Sequence, residues 1–415
     1  MQLRRVVVTG IGTINPIGNN VPAFFKSLDE GKSGASPITS FDCSLFKTQF
    51  ACQVPDFDMT AYGFSKKDAN KNDRFSQMAI VAAQEAVVDS GMDLESVDKD
   101  RIGVLVTSGV GGLETFVGEI EKNDPTQPPR YSPYLIPKLI TDIAAGHISI
   151  QYGFRGPNFG LTAACSSSAM SIAVGAQFIQ LGKADAMLVG GSETAILPVG
   201  VGGFNAMHAL STRNDDPAGA SRPFDKNRDG FVLGEGAGVL LLEDYEKAVA
   251  RGAKIYAEVA GYGLSADAYH FTAPDPEGRG AALAMRLALE DAGISPAEVD
   301  YINTHGTSTH HGDIAETKAI KEVFGKDASI PSVTSTKSMT GHLLGAAAAI
   351  EAIACIHSIQ DGIIPPTINF SEEDPDIDYN LNFVFNKLAH REVNYAMSNS
   401  FGFGGHDACL IFKKI

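Results

Sequence analysis

Cysteine is scarce in this chain of 415 residues. There are five cysteines, an odd number, and no two of them stand in a CxxC pair. A disulfide framework needs paired cysteines and a thiolate zinc site needs closely spaced ones, so the pattern argues against both. Each cysteine is therefore either a small buried side chain or a nucleophile.

Long apolar runs are missing as well. No segment approaches the roughly 20 apolar residues that a membrane helix needs. The apolar run at residues 6–8 meets a Gly-rich turn almost at once, which makes it too short for a secretory signal peptide. These absences predict a cytoplasmic protein that has no membrane as a partner.

Positive charge is in the minority. The 33 Lys and Arg residues stand against 49 Asp and Glu residues, which gives a formal net charge of −16. Nonspecific binding to nucleic acid or to anionic membranes depends on basic side chains that neutralise phosphates. We therefore expect no nucleic-acid partner, and an acidic protein partner must dock on a local basic patch.

The chain does contain many short runs of Val, Ile and Leu, and they alternate with helical stretches. Because these runs lack a polar–apolar alternation, they are typical of strands buried on both faces in an α/β protein. The predicted strands cover 5–10, 102–107, 186–190, 238–243, 255–261, 299–303 and 408–412, and the predicted helices cover 76–90, 167–181, 280–292, 313–324 and 344–360. The helix ends at 89–91 and 291–293 resemble each other, which predicts two similar halves, 1–250 and 251–415.

Cys165 has the local setting of a nucleophile. It lies in a polar turn, Thr162-Ala-Ala-Cys-Ser-Ser, that leads into an almost wholly apolar helix. The free N–H groups and the positive end of a buried helix dipole favour thiolate over thiol. A small buried cysteine at the start of a helix explains this local pattern equally well.

Two histidines lie in turns of similar composition. His305 opens the motif His-Gly-Thr-Ser-Thr after a predicted buried strand, and His342 follows a glycine at the start of another apolar helix. Either histidine alone is more often structural. Together with Cys165 they describe one reaction, because acyl transfer through a thioester needs a thiolate and decarboxylation to a carbanion needs imidazole donors beside the thioester oxygen.

A Gly-rich segment near the C-terminus is a further candidate element. The stretch Asn399-Ser-Phe-Gly-Phe-Gly-Gly places three glycines around Phe403. Glycines allow close backbone approach and a mobile loop, so this segment is a candidate gate or a source of oxyanion-binding N–H groups. A tight turn before the last strand explains it as well.

In combination, these motifs resemble those of the β-ketoacyl-acyl carrier protein synthase family, in its elongating, synthase II-like branch, along nearly all of the chain. The matching stretches, in order, are Val7-Val-Thr-Gly-Ile-Gly, Thr162-Ala-Ala-Cys-Ser-Ser, Ser211-Thr-Arg-Asn, Arg222-Pro-Phe-Asp, Asp229-Gly-Phe-Val-Leu-Gly-Glu-Gly, Ser265-Ala-Asp-Ala-Tyr-His, His305-Gly-Thr-Ser-Thr, Lys337-Ser-Met-Thr-Gly-His and Asn399-Ser-Phe-Gly-Phe-Gly-Gly. So many separate motifs in one order are highly specific.

The resemblance implies a thiolase-like α/β fold of five layers, α-β-α-β-α, from two similar halves, usually as a homodimer. It implies that Cys165 takes an acyl group from acyl carrier protein. A decarboxylative Claisen condensation with malonyl-acyl carrier protein then gives 3-oxoacyl-acyl carrier protein in fatty acid chain elongation. No metal and no resident cofactor are implied, since phosphopantetheine arrives on the carrier.

The resemblance also assigns roles to single residues. The implied catalytic residues are Cys165, His305, His342, Lys337 and Phe403, with the backbone N–H groups of Cys165 and Phe403 as the oxyanion hole. The implied substrate-binding residues are Val110, Phe231, His270, Thr272, Thr307, Thr309 and Phe401, and the supporting residues are Glu351 and Asp313. The basic residues implied in carrier docking are Lys66, Lys67, Lys71 and Arg130.

Two places depart from the family pattern. His310-His311 follow the His-Gly-Thr-Ser-Thr motif, where the family usually has Pro and an apolar or small residue. His406-Asp407 follow the C-terminal glycines, where several members have Thr-Asn and others have His at the first position. The second departure predicts that the gate moves differently here.

Other functions share part of this pattern. A specialised polyketide or aryl-polyene ketosynthase would carry every motif and differ only in the acyl pocket. A catalytically silent dimer partner would have lost the nucleophile, so Cys165 argues against it. A thiolase would have a second cysteine in the Gly-rich turn, where this chain has residues 403–406. The nicotinamide fingerprint is matched only by Gly10 and Gly12, because Asn15 stands at its third glycine.

Overall fold

The computed structural model describes residues 3–415. Its strands are β1 (Val6–Ile14), β2 (Ser36–Pro37), β3 (Phe50–Ala51), β4 (Ile102–Thr107), β5 (Ala186–Glu193), β6 (Gly236–Asp244), β7 (Ala257–Ala266), β8 (Tyr301–Asn303), β9 (Ser332–Thr334), β10 (Ile363–Ile364), β11 (Asn382–Phe383), β12 (Ala389–His390), β13 (Tyr395–Gly402) and β14 (His406–Lys413). Its α-helices are α1 (Val21–Asp29), α2 (Lys66–Lys71), α3 (Arg74–Asp89), α4 (Leu113–Glu121), α5 (Leu135–Leu139), α6 (Ile143–Tyr152), α7 (Ser167–Gln180), α8 (Pro198–Ala206), α9 (Tyr245–Ala250), α10 (Arg279–Ala292), α11 (His310–Phe324), α12 (Lys337–Thr340) and α13 (Ala347–Asp361).

The main sheet repeats one arrangement of strands. Its order is β11-β9-β8-β13-β14-β7-β1-β6-β5-β4. In the N-terminal half β4 and β5 are parallel, while β5–β6 and β6–β1 are antiparallel. In the C-terminal half β8 and β13 are parallel, while β13–β14 and β14–β7 are antiparallel. The topology is therefore duplicated, and the division into 1–250 and 251–415 stays a prediction.

Helices lie outside both halves and also between them. On the outside, α3 packs on β1 and β6, and α10 packs on β7 and β14. Between the halves, α7 and α13 contact each other and share one core cluster with strands of both halves. The order from one side to the other is helix, strand, helix, strand, helix, so the predicted five-layered thiolase-like α/β fold is confirmed.

Glycines in two equivalent strands allow close packing on helices. A Cβ on Gly12 of β1 would lie 2.1 Å from the carbonyl oxygen of Ala82, and one on Gly263 of β7 would lie 1.9 Å from that of Ala284. Only a residue without a side chain fits at such a distance. Gly10 and Gly12 thus lie inside a strand against α3, which removes the nicotinamide-binding hypothesis.

Three further features bear on the class of protein. Within residues 3–415, no helix combines the length and the apolar character needed to cross a bilayer. The same residues contain no group of three or more His, Cys, Asp or Glu side chains that could hold a metal ion. All five cysteines are free thiols, as their spacing predicts.

Candidate active site

Cys165 lies at a strained turn that leads into α7. A 3₁₀ turn, Ala164–Ser166, precedes the helix, and Ala164 has a φ of 48°, in the left-handed region that L residues rarely adopt. Ser167 Oγ donates to the carbonyl oxygen of Ala164 at 2.7 Å and accepts from the N–H of Ala163 at 2.9 Å. The strained turn is thus held by a serine of the same segment.

His342 and His305 reach Cys165 from the other half of the molecule. Nε2 of His342 lies 3.0 Å from Sγ of Cys165. The backbone N–H of His342 donates to the carbonyl oxygen of Val232 at 2.7 Å, which fixes the segment before α13. The ring of His305, in the turn after β8, stands edge to face with that of His342 at 5.3 Å between centroids. Three of the five predicted catalytic residues therefore meet at one point.

These three side chains line a cavity of ≈ 760 Å³. Its wall also contains most of the predicted substrate-binding residues and the predicted gate residue, namely Val110, Phe231, Thr272, Thr307, Thr309, Phe401 and Phe403. His310 and His311, which form one of the two departures from the family pattern, lie on the same wall, and so does Asp407 of the other departure. The site motifs, although scattered in sequence, thus come together around a single space.

His270 is the one predicted substrate-binding residue that does not line this cavity. Its exposed ring stacks on Phe271 at 4.4 Å between centroids. Its Nδ1 accepts from the backbone N–H groups of Thr272 at 3.2 Å and Ala273 at 3.1 Å. Because the ring is used in these local contacts, His270 shapes the loop that carries Thr272 and does not contact the cavity itself.

Burial sets the resting protonation state of Cys165. It raises the pKa of the thiol to about 12, against the opposing effects of the Lys337 charge and of the backbone N–H groups of Phe403 and Cys165. Burial therefore opposes the thiolate that the start of α7 is expected to favour. The neutral ring of His342 is close enough to accept the proton as the sulfur attacks.

Both active-site histidines are held in the neutral form. Burial lowers the pKa of His305 and of His342 well below the usual 6.5, and the positive charge of Lys337 lowers both pKa values further. A neutral imidazole has one N–H donor and one acceptor nitrogen. The pair can therefore donate hydrogen bonds to a thioester oxygen, or accept a proton, without a resting charge of its own.

Lys337 lies behind the histidines and is paired with Glu351 of α13. Lys337 Nζ donates to Glu351 Oε1, and each side chain is 1% exposed. Burial raises the pKa of Glu351 to about 7, while the charge of Lys337 acts in the opposite direction. The ammonium group that keeps the histidines neutral is thus itself held by a carboxylate. This placement fits the role that the resemblance implies for Lys337, which stays a prediction.

Asp313 supports the loop after β8. Its carboxylate accepts from the backbone N–H of Ser308 at 3.2 Å, and Nε of the buried Arg228 lies 3.4 Å away. Arg228 also donates to the carbonyl oxygen of Thr309 at 3.2 Å. The buried pair thereby fixes the segment that presents Thr307 and Thr309, whose hydroxyl oxygens are 3.0 Å apart.

Glu316 is a site residue that no sequence motif predicted. This buried residue of α11 accepts from the backbone N–H of His305 at 2.9 Å, from that of Gly306 at 2.8 Å and from Asn399 Nδ2 at 3.1 Å. Burial raises its pKa to about 7, and these donors act in the opposite direction. Glu316 therefore ties the turn of His305 to β13. The sequence feature that could identify Glu316 is its position as an acidic residue one helical turn after Asp313.

Glu193, the last residue of β5, was missed as well. It accepts from Ser108 Oγ at 2.6 Å and from the backbone N–H groups of Gly109 at 2.8 Å, Val110 at 3.1 Å and Gly345 at 3.0 Å. Burial raises its pKa, and the four donors oppose that shift. The carboxylate thus connects the loop of Val110, on the cavity wall, with the turn before α13.

The predicted docking residues lie away from the cavity wall. Lys66, Lys67 and Lys71 belong to α2, where the first two are exposed and Lys71 is half-buried. Arg130 is exposed in the proline-rich segment before α5. Basic side chains at the surface suit a macromolecular partner better than a small substrate, and their role in docking stays a prediction.

Comparison with known proteins agrees with this site. The β-ketoacyl synthase N-terminal domain matches residues 3–248 and the β-ketoacyl synthase C-terminal domain matches residues 256–371. A curated relative, 3-oxoacyl-[acyl-carrier-protein] synthase 2 of Vibrio harveyi, is 49% identical over 416 residues, with 100% of both chains covered.

Solved structures that resemble this chain are also ketosynthases. The ishigamide ketosynthase/chain length factor superposes with a TM-score of 0.92 at 37% identity. A type II PKS acyl-carrier protein in complex with its ketosynthase bound to the hexaketide also gives 0.92, at 33% identity. Each match covers 100% of both chains. The chain therefore belongs to the β-ketoacyl synthase family, as its motifs predict.

Proposed function

We propose that this chain catalyses the decarboxylative Claisen condensation of an enzyme-bound acyl group with malonyl-acyl carrier protein, which gives 3-oxoacyl-acyl carrier protein in fatty acid elongation. The observation that carries the proposal is the meeting of Cys165, His305 and His342 in one cavity, with 3.0 Å between Cys165 Sγ and His342 Nε2. A nucleophile beside two neutral imidazoles suits acyl transfer followed by decarboxylation.

Acyl transfer begins at Cys165. Its sulfur attacks the thioester carbon of the acyl carrier, and the proton moves to Nε2 of His342. As the new carbon–sulfur bond forms, the bond to the phosphopantetheine sulfur breaks, and that sulfur leaves with the proton. In this proposal the backbone N–H groups of Cys165 and Phe403, which act to lower the pKa of the thiol, also stabilise the oxyanion.

Decarboxylation follows when the malonyl thioester enters the cavity. His305 and His342, each in the neutral tautomer that carries its proton on the ring nitrogen facing the thioester, donate hydrogen bonds to its oxygen, where negative charge develops as CO₂ leaves. The resulting enolate carbon attacks the acyl carbon on Cys165, a carbon–carbon bond forms, and the carbon–sulfur bond breaks. The cysteine sulfur leaves as a thiolate, which takes up a proton from solvent to restore the thiol. The positive charge of Lys337, fixed by Glu351, favours this build-up of negative charge.

A specialised polyketide ketosynthase is the second candidate function. One solved relative is named as the ketosynthase of a type II PKS and the other as an ishigamide ketosynthase/chain length factor, and both share the fold. Their identities of 37% and 33% are lower than the 49% of the Vibrio harveyi synthase, which favours fatty acid elongation. A silent dimer partner is disfavoured, because Cys165 is present and lies in the cavity.

The proposal includes acyl carrier protein as partner, cytoplasmic location and a homodimer. It needs no resident cofactor, since the phosphopantetheine arm arrives on the carrier.

A second copy is supported by Val110, which lines the cavity and yet is 42% exposed in the single chain. Further large apolar residues on the helices that follow it are exposed too, namely Phe116, Ile120, Ile136 and Ile150. A partner subunit that covers Val110 would complete the cavity wall beside it.

Two substitutions of the nucleophile test the proposal. C165A is expected to abolish both the acyl-enzyme and condensation, measured by intact mass and by product analysis. C165Q is expected to keep decarboxylation of malonyl-acyl carrier protein, because its side-chain amide mimics an acyl thioester. A folded C165Q protein that releases no CO₂ would contradict the assigned roles of the two histidines.

A further inference from the structure

The gate segment, residues 401–405, is the tip of the hairpin between β13 and β14. Phe401 lies 5.7 Å from the ring of His305 between centroids, and Phe403 lines the cavity. Two backbone hydrogen bonds join the tip to the segment after β7, from Asp267 N–H to Gly405 O at 3.0 Å and from Gly404 N–H to Phe271 O at 2.8 Å. If the gate segment moved away from the segment after β7, the cavity that contains Cys165 would become more accessible.

Two carboxylates lie at this same junction. Asp407 stands opposite Phe401 in the hairpin and is 1% exposed. A Cβ on Gly280 would lie 2.2 Å from Oδ2 of Asp407 and 2.5 Å from Oδ1 of Asp267, so both oxygens face one point at the start of α10. Asp407 Oδ2 has no hydrogen-bond donor within residues 3–415. Asp267 is half-buried, and its Oδ2 accepts from the backbone N–H of Asp275 at 3.1 Å. Two carboxylates this close repel each other when both are ionised, and a shared proton removes the repulsion.

The surroundings compensate only part of a second negative charge, because the one cation of residues 3–415 on which the charge of Asp267 is seen to act, Arg279, is 71% exposed and is paired with Asp275. The other charged or titratable groups near the pair are Asp275, Glu277, Arg279, Lys318 and His406. Both cations in this set already have a carboxylate partner, at 2.5 Å for Arg279 and 2.9 Å for Lys318. Burial first, and then the charge of Asp267, raise the pKa of Asp407 to about 8.

We propose that Asp407 and Asp267 form a proton-dependent latch on the gate segment, in which Asp407 is a positioning residue that controls access to Cys165. With one shared proton, the carboxyl groups bind each other and hold the gate segment against the segment after β7. When a base in solution removes that proton, both groups carry charge and the junction weakens. The inference rests on the proposed function only for the role of Cys165 as the nucleophile.

The chain offers a matched control for this latch. D407N replaces one carboxylate oxygen of Asp407 with an amide nitrogen and so keeps the size and shape of the side chain. The amide N–H donates to the Asp267 carboxylate at any pH, so this variant cannot gain a second charge. D267N is the reciprocal variant and also keeps a single ionisable group at the junction.

Hydrogen–deuterium exchange of a peptide that spans 401–407 measures how firmly the gate segment is held, and it does not depend on catalytic activity. Wild type and D407N are compared at equal pH, which cancels the intrinsic pH dependence of exchange. We expect wild type and D407N to exchange at equal rates at about pH 6.5. At about pH 9 we expect wild type to exchange about fivefold faster, because the second charge modestly lowers the local stability of its gate segment. A ratio that stays constant over this range would overturn the latch.

Alkylation of Cys165 by iodoacetamide gives a second readout. Thiol ionisation is common to wild type and D407N, so the ratio of their rates reports access. We expect this ratio to rise as the pH passes through about 8, and D267N to behave as D407N does. If the ratio of alkylation rates rises with pH but the protein performs no condensation, only the proposed function is overturned. If the protein condenses fully and the ratio of alkylation rates stays constant, only the latch is overturned.

Discussion

Cys165 combines two properties that oppose each other, burial and nucleophilicity. Burial raises the pKa of its thiol to about 12, so the resting group is the weaker nucleophile. The neighbouring Nε2 of His342, at 3.0 Å, supplies an acceptor for the proton within the cavity. Activation is therefore coupled to attack on the thioester.

The neutral state of the two histidines gives a pH prediction. Burial lowers the pKa of both His305 and His342 well below 6.5, so their neutral forms persist as the pH falls through that value. Decarboxylation of malonyl-acyl carrier protein by C165Q should thus keep its rate from about pH 7.5 to below 6. The check is a pH–rate profile of CO₂ release, and a loss of rate with a midpoint near 6.5 would show that an ordinary histidine carries the reaction.

How far single residues could be predicted depends on where their partners lie. Cys165, His305 and His342 each stand in a short motif, so local sequence points to them. Glu193 is a lone acidic residue whose donors lie 85 and 152 positions away, at Ser108 and Gly345. Only the folded chain brings such donors to one carboxylate, which is why sequence reasoning did not find it.

At the scale of elements, the pair of Lys337 and Glu351 joins α12 to α13. K337M leaves the Glu351 carboxylate buried without its partner, so we expect a loss of about 3–5 kcal/mol in the free energy of unfolding near neutral pH. The loss should shrink at lower pH, where a carboxyl group with a pKa of about 7 or higher takes up a proton. Denaturant unfolding at two pH values measures both effects.

The double variant K337M/E351L separates stability from chemistry. An apolar pair of similar volume removes the unpaired charge, so we expect most of the lost unfolding free energy to return. Decarboxylation should not return, because the ammonium group beside the histidines is still missing. Full activity in the stable double variant would show that Lys337 serves only the packing of α12 on α13.

Elements with a strong apolar pattern were predicted closely. The predicted helix 167–181 is α7, and the predicted strand 102–107 is β4. β13 was not predicted, because its residues Ser398, Asn399 and Ser400 are polar and yet buried. Hydrophobic periodicity cannot detect such a strand, since hydrogen bonds from distant segments decide its burial.

At the scale of the whole molecule, a net charge of −16 makes a local basic patch the decisive feature for an acidic carrier. The double reversal K66E/K67E should raise KM for malonyl-acyl carrier protein roughly tenfold with little change in kcat, more strongly at low salt. The control K326E/K387E makes the same change in charge at two other exposed lysines and should have little effect. Equal KM values for the two variants would remove α2 as the docking site.

The central claim is that Cys165 carries an acyl group that is then lengthened by condensation. Intact-mass spectrometry tests it most directly, after incubation with acyl-acyl carrier proteins of graded chain length and then with malonyl-acyl carrier protein. We predict an acyl adduct on Cys165 that turns over to a 3-oxoacyl product two carbons longer, with chain lengths ranked by rate. No adduct with any saturated acyl chain would contradict the account.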